Sequence, residues 1–190
     1  MNALQRIRLE RLAARLSRYR PQPAYPDDEA GLAVCKLAAD ALRAGNYGIG
    51  ALIIDAAGRP LIEATNQVFE PAFSSAGHAE MVAVDELERR YPELAPADLT
   101  LIVSLEPCPM CYTRLKLSGI GHVRYLAPDP PGGMVHLAGR LPDIWRLLTP
   151  EQRFGPADVS AEIRRLAQRL FLTNLRALRQ RLASRGQPAR

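Results

Sequence analysis

The sequence predicts an α/β fold, and three observations carry that reading. Four strand-like segments, at about residues 49–55, 60–66, 99–104 and 122–126, recur along the chain, the third a β-rich apolar run. Between and around them lie segments whose apolar residues repeat at helical spacing. With 190 residues, 47% of them hydrophobic, the chain is long enough for one real core, and nothing in it forces a second.

The elements follow in order. Met1 to Arg20 places Leu9, Leu12, Leu16 and Tyr19 on one helical stripe, after which Pro21, Pro23 and Pro26 mark a linker. A helix from a cap at Asp27 or Asp28 to Gly45 turns Val34, Leu37, Ala38 and Ala41 inward, with Cys35 a small buried hydrophobe. Two strands then flank a short turn around Gly58. Past the loop from Pro71 to Gly77, the apolar residues Met81, Val82, Val84 and Leu87 predict a helix that begins at or just before His78. The strand from Leu99 to Ser104 leads into a helix opening at Pro109, a favoured first-turn position for proline. After the strand near 122–126, Pro128, Pro130, Pro131, Gly132 and Gly133 mark an irregular loop, and no β-rich run is legible between Met134 and Ser160. A short helix around Leu141 to Leu148 and a long one from about Ser160 to Ala183 end the chain, the latter burying Leu166, Leu170 and Leu178.

Charge divides the chain the same way: residues 1–26 as a basic helical arm with a Pro-rich linker, 27–160 as the central domain, and 161–190 as a basic C-terminal helix packed on it. Residues 1–20 hold six Arg against one Glu and residues 161–190 hold eight Arg against one Glu, while the whole chain is only +5. Clustered arginine can grip nucleic acid, but no aromatic residues for base stacking are interleaved with these, so the arms read as amphipathic helices that pack. Trp145, Tyr112 and Phe73 read as packing residues, and His122 as structural. No apolar run is long enough for a membrane span and the N-terminus lacks a secretory apolar segment, so a cytoplasmic protein is expected. Three cysteines suit that compartment.

The chemistry lies in His78-Ala79-Glu80 and Pro107-Cys108-Pro109-Met110-Cys111. Four protein ligands saturate a structural zinc, whereas three leave a position for water. His78, Cys108 and Cys111 supply three ligands of types that suit Zn2+. Water on such an ion ionises near neutral pH and becomes a nucleophile. Glu80 is then a carboxylate free to pass protons between that water and a leaving amine. Residues two apart on a helix point about 200° from one another, so His78 and Glu80 can serve one metal only if their helix meets it end-on. Two helix N-termini are therefore expected to face the ion, where their partial positive charge favours thiolates. A Cys-x-x-Cys pair also suits a redox disulfide or half of a structural zinc site, but neither needs the His-x-Glu that precedes it.

These motifs resemble the cytidine and deoxycytidylate deaminase superfamily, whose H-x-E and P-C-x-x-C pattern is a general example of zinc deaminases. Gly50-Ala51-Leu52-Ile53-Ile54-Asp55, the turn around Gly58, Asn66, His78-Ala79-Glu80, Ser104-Leu105-Glu106-Pro107-Cys108, Ser118-Gly119-Ile120 and Val123-Arg124-Tyr125 resemble successive family segments, covering about Asp28 to Asp129. The wording resembles the branch of guanine, cytosine and tRNA adenosine deaminases. The resemblance implies a three-layer α-β-α cytidine deaminase-like fold with a mixed central sheet, flanked here by N- and C-terminal basic helices. It implies hydrolytic deamination of a small-molecule nucleobase or nucleoside, with zinc-bound hydroxide attacking the amine-bearing ring carbon, Glu80 as the proton shuttle and ammonia released. Asn66 would hydrogen-bond base or sugar, and the backbone amides of Ala79 and Cys108 would help bind substrate and activated water. A homodimer is also implied. Deamination of a base in RNA and a non-catalytic zinc scaffold are the alternatives, RNA being the less favoured partner. The chain departs from the family at Gly48, where many relatives have proline, and after Tyr125, where a last strand is due.

Overall fold

A computed structural model describes residues 1–185. Its frame is a mixed sheet. Strands β1 (Gly50–Ile54) and β2 (Pro60–Thr65) form an antiparallel hairpin with Leu52 opposite Glu63. Strand β3 (Thr100–Leu105) runs antiparallel to β1, and β4 (His122–Ala127) runs parallel to β3. A fifth strand, β5 (Arg153–Pro156), runs parallel to β4, giving the order β2-β1-β3-β4-β5. This corrects the reading that no strand lies between Met134 and Ser160. The segment reads Arg-Phe-Gly-Pro, so it lacks a β-rich run; an edge strand pairs on one side only and tolerates proline.

Helices cover both faces of the sheet. α1 (Ala3–Arg18) precedes α2 (Asp28–Arg43), and α3 (Ala79–Arg90) and α4 (Pro109–Ser118) follow β2 and β3. A short α5 (Asp143–Leu147) precedes β5, and α6 (Ala161–Leu172) and α7 (Leu175–Ser184) follow it. α2 and α6 pack on each other and on the sheet, while α3 and α4 pack together. One long helix was expected from Ser160 to Ala183; instead the chain turns at Thr173 and Asn174. The Asn174 amide donates to the Asn46 carbonyl at 2.8 Å, a tertiary contact that redirects α7.

The N-terminal arm packs. Asn2 and Gln5 form a reciprocal capping box at the start of α1, and Leu9, Leu12 and Leu16 are buried against α2 and α6. Beyond the helix, the Tyr19 hydroxyl and the Gln22 and Ser160 amides all donate to the buried Asp28 carboxylate. Ser160 in turn caps α6, so one carboxylate ties the linker to two helix N-termini. Asp27 accepts from the Asp158 amide at 2.8 Å and pairs with Arg124.

Gly48 explains the departure from proline. A Cβ on Gly48 would sit 2.6 Å from the Leu170 carbonyl oxygen of α6. The space that a side chain would fill holds the end of α6.

Candidate metal centre and its pocket

The site forms where two helices begin. His78 is the N-cap of α3 and Cys108 the N-cap of α4, and neither side chain caps its own helix. They turn to one another instead. His78 Nδ1 lies 3.6 Å from Cys108 Sγ and 3.4 Å from Cys111 Sγ, and the three ligand atoms all lie within 4.8 Å of one another. Zinc bonds of about 2.0–2.1 Å to nitrogen and about 2.3 Å to sulfur, at a tetrahedral angle, separate N from S by about 3.6 Å. The spacing and donor set fit one zinc ion. Three such ligands would leave a fourth position for water.

Electrostatics prepare the same atoms. The Cys108 thiol is pushed down to about 4, first by the hydrogen bond from Cys111 and then by His78, against the effect of burial. Cys111 moves the opposite way, because it gives its proton to Cys108 and is buried. Burial opposes charge on His78, yet its contact with Cys108 and the charge of Glu80 raise it overall. Burial pushes the Glu80 carboxyl above the usual range.

Asn66, His78, Glu80 and Cys108 line one cavity of about 200 Å³. Ala79 is buried as the first residue of α3, where a helix leaves its amide without an internal partner. Asn66, just past β2, accepts from the Val68 amide at 3.2 Å through Oδ1, while its buried Nδ2 has no hydrogen-bond partner. An unpaired buried donor is costly, and this one borders the cavity that holds the metal triad.

Other walls were not legible beforehand. Tyr47, Ile49 and Leu105 come from the sheet region, and Glu106, Asp129 and Gly132 from the turns beside Cys108 and after β4. Phe171, Leu175, Arg179 and Leu182 come from α6 and α7, which the sequence shows only as amphipathic stripes. α7 is held across the 66–77 loop: Arg181 pairs with Glu70 at 3.2 Å and sits 4.7 Å from the Phe69 ring centroid. Arg185 stacks over Phe73. His136 is outside the cavity lining and is engaged with Glu106.

Fold and site together define an α/β protein whose His78, Cys108 and Cys111 side chains could hold one metal ion. The profile of the cytidine and deoxycytidylate deaminase zinc-binding region matches residues 26–127, and the chain belongs to that family. A tRNA-specific adenosine deaminase of Bacillus subtilis is 35% identical over 89 residues, 47% of this chain and 54% of its own length. A tRNA(Ile)-lysidine synthase of Deinococcus radiodurans is 32% identical over 124 residues, 65% of this chain and 21% of that protein. The chain thus spans about half of the first and a fifth of the second. A guanine deaminase from Nitrosomonas europaea superposes with a TM-score of 0.61 at 18% identity, covering 83% of this chain and 90% of the other. A tRNA:A34 deaminase structure, from work on A-to-I editing at the wobble position, superposes with a TM-score of 0.56 at 23% identity, covering 72% and 94%. Both share the fold. No helix among the described residues is long and apolar enough to cross a membrane.

Proposed function

We propose that the protein is a zinc-dependent hydrolytic deaminase of a nucleobase or nucleoside: water adds at the amine-bearing ring carbon, ammonia leaves, and oxygen replaces the exocyclic nitrogen. The observation that carries this reading is the unpaired Nδ2 of Asn66 in one cavity with His78, Glu80 and Cys108. A bound zinc would acidify water and supply the nucleophile; His78, Cys108 and Cys111 would hold it. Glu80, a buried carboxylate beside the triad, would accept a proton from water and deliver one to the departing amine. Asn66 Nδ2 offers a donor to a carbonyl or ring nitrogen of the base. Ile49, Leu105, Phe171 and Leu175 give that base apolar walls. The Ala79 and Cys108 amides serve as further donors, and a homodimer belongs to the same reading.

A second reading rests on Arg179, exposed at the rim of the cavity on an arginine-rich helix, and on relatives named tRNA-specific adenosine deaminase. In that reading the target base is flipped out of RNA. Ammonia release from zinc-loaded protein, measured on free bases, nucleosides and an RNA stem-loop, separates them. Turnover of a free base or nucleoside is expected. Turnover of RNA alone favours the second reading, and none on any substrate leaves the zinc scaffold. Sedimentation tests the dimer; a monomer mass at all concentrations overturns it.

A further inference from the structure

Glu106 stands two residues before Cys108 in the turn from β3 to α4, and its side chain is 1% exposed. Its carboxylate accepts three hydrogen bonds, all from one segment. The Asp129 amide donates to Oε2 at 3.0 Å; the His136 amide and His136 Nδ1 donate to Oε1 at 3.0 and 2.7 Å. Beside them the Met134 amide donates to the Pro107 carbonyl at 2.8 Å. Gly133 lies so close to the carboxylate that a Cβ there would overlap Glu106 Cδ.

The fastened segment has little structure of its own. It contains Pro130, Pro131, Gly132 and Gly133, and its regular structure is a tight turn in which the Gly132 and Gly133 amides donate to the Asp129 carbonyl and a 3-10 helix from Val135. It nevertheless supplies Asp129 and Gly132 to the cavity wall. The geometry points to Glu106 as a positioning residue: it sets the distance between that wall and the metal triad, and so the fit of the substrate rather than the chemistry. A carboxylate accepts from donors on both oxygens at once, whereas a glutamine has one acceptor oxygen and must turn its NH2 toward either the Asp129 amide or the two His136 donors. The inference rests on the reading that this cavity receives the substrate.

The test compares Glu106→Gln, His136→Leu and the double variant with the wild type in the intact, zinc-loaded chain. Zinc content is expected to stay at one per chain. Hydrogen exchange at the Asp129 and His136 amides should quicken roughly ten- to a hundredfold, the range for losing a hydrogen bond to a charged group. With a substrate found by ammonia release, KM should rise roughly tenfold in Glu106→Gln while kcat stays within about threefold. His136→Leu, which removes the Nδ1 donor, should shift both readings the same way by less, and the double variant should fall short of the product of the two. Should Glu106→Gln fail to fold, His136→Leu carries both readings. Unchanged exchange at both amides overturns the inference. So does faster exchange with unchanged KM, or loss of zinc together with kcat at constant KM, which would make Glu106 a support for the ligands. If the wild type acts on no compound in the panel, the deaminase reading fails by itself, and exchange still decides whether the carboxylate holds the wall.

Discussion

His78 Nδ1 lies 3.6 Å from Cys108 Sγ although the two residues begin different helices 30 positions apart. Each gives up capping its own helix to meet the other, so the pair makes sense as metal ligands. One zinc per chain is the expected result of elemental analysis. Cys111→Ala should lose it, and because such binding contributes to folding, should also melt earlier. A variant that keeps stoichiometric zinc would remove the ligand assignment.

Glu80→Ala is expected to keep zinc while losing roughly 10²–10⁴-fold in kcat, the typical contribution of a general acid or base. Zinc content and turnover have to be measured on the same preparation. Near-normal turnover would exclude Glu80 as the proton carrier.

Asn66→Ala removes the unpaired Nδ2 and the acceptor for the Val68 amide. Weaker substrate binding is expected, with kcat/KM down roughly tenfold or more, since a hydrogen bond to the bound base is worth about 0.5–1.5 kcal/mol and its orientation is lost as well. Kinetics equal to the wild type would leave the zinc site standing and end the substrate role of Asn66.

Asp28 gives a pH test of stability. Burial alone would raise its carboxyl, but the Tyr19 hydroxyl and the Gln22 and Ser160 amides hold it below the usual carboxylate range. A depressed folded-state pKa means that the stabilisation is complete above the unfolded value, about 3.9, and is lost as pH falls through it toward the folded value. Asp28→Asn should therefore cost about 1.5–3 kcal/mol at neutral pH, with the gap between wild type and variant closing below about pH 4. A gap that does not vary from pH 7 to pH 3 would show that the charge on Asp28 is immaterial.

Much of this was legible in the sequence because local and tertiary demands agreed. Pro109 opens α4, β1 and β3 are nearly continuous apolar runs, and the requirement for end-on helices follows from the His-x-Glu spacing alone. Legibility failed where a long-range contact decides the outcome. β5 is Arg-Phe-Gly-Pro, which only its neighbour β4 makes into a strand. The break between α6 and α7 contains neither glycine nor proline; Asn174 turns the chain by reaching Asn46. The cavity residues Leu175, Arg179 and Leu182 look in sequence like any amphipathic helix, because the walls they face, from Tyr47 to Gly132, lie far earlier in the chain. His136, placed in a Pro/Gly loop with no visible partner, is committed to Glu106.

The missing side chain at position 48 has a reach well beyond its own corner. Because the Leu170 carbonyl occupies that volume, the arrangement is a lock with one key: the smallest residue admits the C-terminal hairpin, and any larger one shuts it out. A chain with proline there could not bring the end of α6 this close, so this cavity roof would not transfer to it unchanged. Grafting residues 161–185 onto such a chain would leave the metal centre without this roof unless the proline were changed to glycine with it.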